Sequence, residues 1–251
     1  MILQIDAGNS RVKWRIVGEA ATINHARSGF VEAIGSSMDI TAGVCREIEA
    51  LGISDITRIQ VANVRGDIFQ RALCKTLEDR FCDKIEVAVP TTHCAGVRNG
   101  YTNPVLLGVD RWLAMIAAFN HVNDECWVVG CGTTITLDVV DKYGNHLGGH
   151  ILPGIHLMRE ALLNKSPRLI SEEPFSQNYG LGTNTSDAIN RGVSAILVGY
   201  LGFMRSNFRN VSSDAAWCFF GGDGNFLREL SGWGGEYRPE LVLDGLSLAM
   251  P

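Results

Sequence analysis

The chain has 251 residues, 46% of them hydrophobic and 20% charged, enough for one large domain or two modest ones with ordinary globular cores. Its formal net charge is −5 and Lys and Arg form no cluster, which argues against a nucleic-acid-binding surface. No run approaches the roughly 18 consecutive apolar residues of a membrane helix. The opening MILQIDAGN reaches Asp6 with no basic stretch ahead of an apolar one, unlike a signal peptide, so a cytoplasmic protein without a membrane partner is expected. The seven cysteines (Cys45, Cys74, Cys82, Cys94, Cys126, Cys131 and Cys218) are dispersed without a C-x-x-C pair and read as reduced core residues. Only Cys131, inside a glycine loop, is a candidate reactive thiol, and no base accompanies it in the sequence.

The first predicted element is a β-hairpin, MILQIDAGNSRVKWRIV: an apolar run ending in an acid, a small-residue turn, then an alternating run. A short strand is predicted at Arg58–Ala62, a helix at Gly66–Phe81 with Phe69, Leu73 and Leu77 on one face, and a strand at Ile85–Val89. A second amphipathic helix covers Val109–Val122. CWVVGCGTTITLDVV then repeats the shape of the first hairpin, and the turn Asp141-Lys142-Tyr143-Gly144-Asn145 leads into a third strand, His146–Leu152. Helices follow at Ser186–Phe203, Asp223–Leu230 and Pro239–Met250, with a strand at Trp217–Phe220. Hairpins alternating with helices, twice over, predict two α/β lobes, residues 1–122 and 123–251.

Three glycine-rich turns qualify as phosphate cradles, because glycine lets the backbone approach an anion closely. They are Asp6-Ala7-Gly8-Asn9-Ser10, Gly130-Cys131-Gly132-Thr133-Thr134 and Gly221-Gly222-Asp223-Gly224. Each alone is also an ordinary hairpin or loop turn. No G-x-x-x-x-G-K-[ST] occurs, which excludes a P-loop NTPase. One such turn in each half, with hydroxyl residues, plus the later G-G-D-G, resembles the acetate-and-sugar-kinase, Hsp70 and actin superfamily. That resemblance implies two ribonuclease-H-like lobes (the actin-like ATPase arrangement) with ATP in a cleft between them. An acid such as Asp6, ending the first strand, suits Mg²⁺ beside phosphate oxygens, or else caps its own turn.

The segment Val97 to Trp112, with Tyr101 and Gly108-Val109-Asp110-Arg111, closely resembles the type III pantothenate kinases of that superfamily, as does Gly148-Gly149-His150-Ile151-Leu152-Pro153-Gly154. The resemblance implies phosphorylation of pantothenate by Mg-ATP to 4'-phosphopantothenate, the first step toward coenzyme A. It assigns phosphate binding to Asp6, Ala7, Gly8, Asn9, Ser10, Arg11, Val12, Lys13 and Thr133, and pantothenate binding to Tyr101, Gly108, Val109, Asp110 and Arg111. Asp110 becomes the general base, a role that suits a carboxylate at the mouth of a helix, and Arg111 offers a planar fork to the substrate carboxylate. Trp112 is a candidate wall of that site. Thr185 matches a threonine that completes the pocket from a partner subunit, so a homodimer is implied; Thr185 also suits a helix N-cap.

The family binds a monovalent cation, potassium or ammonium, with the help of an Asp that opens the second phosphate motif. Here Gly130 stands in its place, which predicts a reduced or altered cation requirement. His146, His150 and His156 lack zinc-site spacing. Two rival readings keep the fold: a sugar or acetate kinase or polyphosphate phosphatase, and a nucleotide-binding regulator without turnover.

Overall fold

A computed structural model describes residues 1–18, 27–53, 55–82, 84–163, 175, 177–208 and 210–251. It divides into two compact units, Met1–Ala117 with Leu241–Pro251, and Ala118–Glu240. In the first unit β1 (Ile2–Ala7) and β2 (Arg11–Val17) form the expected antiparallel hairpin, and β3 (Arg27–Glu32) extends it on the β2 side. On the other side β4 (Arg58–Asn63) runs parallel to β1, and β5 (Ile85–Val87) parallel to β4, giving the order β3-β2-β1-β4-β5.

Both faces of β1 are buried, and its period of two sorts them. Leu3, Ile5 and Ala7 join a core built with α1 (Ser37–Glu49) and α2 (Asp67–Arg80), which supply Ile40, Val44, Ile48, Phe69, Leu73 and Leu77. Helix α1 has no counterpart in the sequence expectations; it opens on a capping box between Ser36 and Asp39. Gln4 and Asp6 face the other way. Gln4 is buried, and its Nε2 donates to Gln60 Oε1 and to Ser247 Oγ, both at 2.8 Å. Its Oε1 accepts from Arg15 Nε at 2.9 Å and Nη2 at 2.7 Å, while Arg15 Nη1 reaches Asp244 Oδ1 at 2.7 Å.

This network ties α7 (Leu241–Ala249) to the first sheet. Together with the buried Leu241, Val242, Leu243 and Leu246 it packs the last helix in the first unit, whereas the sequence division at 122/123 puts that helix in the second. Helix α7 also meets α3 (Val109–Val122), because Gly245 approaches so closely that a Cβ would lie 2.2 Å from the Leu113 carbonyl oxygen. Before α3 the chain forms a short ribbon, β6 (His93–Cys94) with β7 (Val97–Arg98), and a 3-10 turn, Pro104–Leu106.

The second unit repeats the plan of the first. The strands β8 (Cys126–Cys131), β9 (Thr134–Val140) and β10 (His146–Pro153) form an antiparallel meander, and β11 (Ala216–Phe220) and β12 (Glu236–Tyr237) continue it in parallel, in the order β10-β9-β8-β11-β12. Helices α4 (Ile155–Leu163), α5 (Thr185–Asn207) and α6 (Gly224–Ser231) complete the unit. Its core stacks Trp127 on Trp217, with ring centroids 4.9 Å apart, against Leu197, Leu201 and Leu227. Two five-stranded sheets of identical order thus confirm an α/β architecture and the echo between the two hairpins. No helix among the described residues is long and apolar enough to cross a membrane.

Gly245→Val would push a branched side chain into the backbone of α3. The expected loss is about 1–3 kcal/mol of stability, the cost of overpacking. Urea unfolding with an unchanged midpoint would contradict that close approach.

Candidate active site

The turn between β1 and β2 follows from the register that pairs Asp6 with Lys13 and Ala7 with Val12, leaving Gly8, Asn9, Ser10 and Arg11 to reverse the chain. Asn9 and Ser10 are exposed, and the Ser10 carbonyl accepts from Ala33 N–H at 2.9 Å. Gly8 has little room beyond its α-carbon, since a Cβ would stand 3.0 Å from the Arg11 carbonyl oxygen. Ala7 and Val12 turn their side chains into the core, so only their backbone is left to meet a ligand. Arg11 is engaged elsewhere: its Nε lies 2.8 Å from Glu32 Oε1, and its guanidinium covers Phe30.

A residue that no motif announced braces this turn. Arg65, just after β4, donates from Nη1 to the carbonyls of Gly8 (3.2 Å) and Asn9 (2.7 Å). Its guanidinium sits 4.7 Å from the centroid of the Phe69 ring. Asn63 in turn fixes Arg65, its Oδ1 accepting from the Arg65 N–H at 3.0 Å. Only the Asn-x-Arg-Gly run, a turn signal after a strand, could have drawn attention to it.

Asp6 is 9% exposed, on the face of β1 that looks toward α7. Burial pushes its carboxyl up to about 6; Lys13, across the hairpin, opposes the rise and the charge of Asp110 adds to it. The two aspartates, 104 positions apart in sequence, therefore feel each other's charge within the first unit. Asp110 lies in the first turn of α3, where the helix dipole favours an anion. Its Oδ1 accepts from the Arg111 N–H at 2.8 Å. Gly108 makes the space: a Cβ there would fall 2.7 Å from the same oxygen.

Arg111 is 5% exposed and donates from Nη1 to the Tyr101 hydroxyl at 2.9 Å. The loop carrying Tyr101 is pinned by buried Asn99, whose Oδ1 accepts from Tyr101 N–H and whose Nδ2 donates to the carbonyls of Thr91 and Pro104. Tyr101, Asp110, Arg111 and Gly108 are thus assembled by one loop and one helix start. Val109 is buried, and Trp112, at 1% exposure, is a core residue rather than a wall.

In the second unit three glycine runs converge. The Gly132 N–H donates to the Thr134 carbonyl at 3.0 Å, closing the β8–β9 turn and leaving Thr133 exposed at its tip. Gly154 packs on it so tightly that a Cβ would lie 2.2 Å from the Gly132 carbonyl oxygen. Gly221, at φ +88°, would collide at the same distance with the carbonyl of Cys131, which also accepts from the Asp223 N–H. Burial pushes the Cys131 thiol far up, so it stays protonated and is no nucleophile.

Gly130 is buried between its partners in the sheet. A Cβ there would stand 2.6 Å from Thr136 Oγ1 and 2.7 Å from Phe220 Cζ. The residues present therefore do not fit a cation held by a carboxylate at this position. His146 pairs with Asp138 (3.0 Å), His150 with Tyr200 (2.9 Å), and His156 stands 3.7 Å from Asp223. Among the described residues no three His, Cys, Asp or Glu side chains group as a metal site. Thr185 is exposed at the start of α5, and the capping role falls to Asn184, which accepts from Asp187 N–H at 2.8 Å.

The family model of the type III pantothenate kinases matches residues 2–207. The chain belongs to that family. A type III pantothenate kinase of Pseudomonas putida is 33% identical over 256 residues, covering 100% of this chain and 99% of the relative. Solved structures with the same fold are more distant in sequence. The ethanolamine utilization protein EutJ of Carboxydothermus hydrogenoformans gives a TM-score of 0.56 at 13% identity, covering 98% of this chain and 89% of that one. An activator of 2-hydroxyisocaproyl-CoA dehydratase from Clostridium difficile, solved with bound ADPNP, gives 0.53 at 12% identity, covering 99% and 92%. The fold is thus that of the actin-like ATPases and sugar kinases.

Because the folded-state pKa of Asp6 is raised, its proton is held more tightly in the native protein than in the unfolded chain. Stability is fullest below about pH 4 and falls as pH rises through about 6, by about 3 kcal/mol at roughly 1.4 kcal/mol per tenfold change in proton affinity. Asp6→Asn removes that charge. In ligand-free protein the variant should gain on wild type between pH 4 and 7 and level off above; a stability difference constant with pH would contradict the assignment.

Proposed function

We propose that this chain transfers the terminal phosphoryl group of Mg-ATP to the primary hydroxyl of pantothenate, giving 4'-phosphopantothenate and ADP, the first step of coenzyme A biosynthesis. The observation that carries the reading is the helix start where Asp110 accepts from the Arg111 N–H and Arg111 donates to the Tyr101 hydroxyl, in a chain that belongs to this family. Asp110 takes the proton of the pantothenate hydroxyl as its oxygen bonds to phosphorus and the bond to ADP breaks. Arg111, steered by Tyr101, offers guanidinium donors to the pantothenate carboxylate. The absence of a side chain at Gly108 keeps the Asp110 carboxylate in place.

Asp6 is the residue that would hold the Mg²⁺ of the nucleotide. The donor chemistry fits: a buried carboxylate with a second one acting on it is relieved by a divalent cation, which also neutralises phosphate charge. In the first unit the backbone of Gly8, Asn9 and Ser10 and the side chain of Lys13 are the proposed phosphate contacts; in the second unit the exposed Thr133 is the proposed contact. Most of the acceleration then comes from alignment and charge neutralisation, with the proton transfer a smaller share.

A homodimer is part of this reading. The outward face of α5 carries Ile196 and Phe203, 60% and 62% exposed, beside Gly192 and Gly199 with open space above them. Thr185 begins the same helix, so a partner packed there would bring its Thr185 with it. Sedimentation as a monomer at micromolar concentration would remove this element.

Incubation with Mg-ATP and pantothenate, followed by mass spectrometry, should yield phosphopantothenate. Asp110→Asn is expected to slow it by about a hundredfold or more, the scale of a lost general base. Full activity in that variant would take Asp110 out of the role. A wild-type protein that binds ATP and makes no product would instead favour a nucleotide-binding regulator.

A further inference from the structure

At the end of β8, where the family resemblance implies an Asp that serves a monovalent cation, the chain has a buried glycine with neighbours of another kind. Gly130 stands in register with Phe220 on β11 and with Thr136 on β9. Phe220 is 8% exposed, with two of its ring atoms, Cζ and Cε1, 2.7 and 3.0 Å from the point a Cβ would occupy. The Thr136 hydroxyl closes the remaining side at 2.6 Å. A carboxylate could enter only by displacing a ring held inside the sheet, and a bare potassium ion there would lose its hydration for a hydrocarbon edge and one hydroxyl. Such an exchange is unfavourable, because an ion leaving water needs a full set of oxygen ligands or a compensating charge.

We infer that Phe220 and Gly130 form a matched pair that fills the cation position, so that nucleotide binding and turnover in this protein are independent of potassium and ammonium. The two residues complement one another. The missing side chain at 130 is what admits the ring of Phe220, and the ring replaces the volume of the side chain and its bound ion. The nearest charged group on the neighbouring turn is Asp223, whose N–H is fixed on the Cys131 carbonyl and whose carboxylate faces His156 at 3.7 Å, away from service as a substitute ligand. The inference rests on the reading of the chain as a pantothenate kinase, but its physical content is the occupancy of one position in the second sheet.

The test measures two things at constant ionic strength in potassium, ammonium, sodium and tetramethylammonium salts: the rate of phosphopantothenate formation, and the rise in melting temperature on adding Mg-ATP. Wild type should give the same rate and the same rise in all four. A rate or a rise that appears only with potassium or ammonium would overturn the inference. The paired variant Gly130→Asp with Phe220→Ala rebuilds the carboxylate and removes the ring, leaving the Thr136 hydroxyl to rotate aside, and should acquire a potassium-dependent rise. A folded double variant indifferent to the cation would also overturn the pairing; if that variant does not fold, the wild-type comparison decides alone. Product absent in every salt, with an ATP-induced rise equal in all of them, would defeat the kinase reading and leave this inference standing.

Discussion

The first unit holds a carboxyl group where water solvates its charge poorly, and the rest of the site follows from that constraint. Asp6 ends a strand whose alternate residues feed the hydrophobic core, and the pleat that buries Leu3, Ile5 and Ala7 turns Asp6 to the opposite face. That face is closed by α7, clamped through Gln4, Arg15 and Gln60, and α7 in turn touches α3 at Gly245 with no side chain between them. The start of α3 presents Asp110. Two carboxylates thus come under each other's influence because a polar network and one glycine hold three elements together. The arrangement is costly for the empty protein and suited to a ligand that carries its own cation.

The second unit solves a different problem with the same topology. Its meander and parallel strands reproduce the order of the first sheet, yet at the β8–β9 turn the chain brings no acid forward. Instead Gly132, Gly154 and Gly221 let three backbone segments touch, and the carbonyls and N–H groups there are spent on one another. Thr133 is left at the surface of a rigid knot. A side chain at Gly154 or Gly221 would force backbone apart, so these glycines are required by packing as well as by any anion.

Much of this was legible because it is local. Hairpins with glycine turns, the amphipathic α2 and α3, and the family motif around Tyr101 and Asp110 announce themselves in consecutive residues. What escaped depends on distant partners. Strand β3 reads as polar and carries Gly29, but that glycine is there to clear the Trp14 ring, which a Cβ would meet at 2.6 Å. The sequence pattern puts helix α7 with the second lobe, and partners as far as 243 positions away draw it to the first. Arg65 lies in no motif and earns its place through the carbonyls of Gly8 and Asn9. Phe220 stands 90 positions from Gly130, so the glycine could be noticed in the sequence while the ring that fills its space could not.

The most direct test of this account follows the Asp6 carboxyl carbon by NMR as pH is varied, in ligand-free wild type and in Asp110→Asn. A midpoint near pH 6 is expected in wild type and a lower one once the neighbouring charge is removed. A wild-type midpoint in the ordinary carboxylate range, or one that ignores Asp110, would mean that the two aspartates do not share a site.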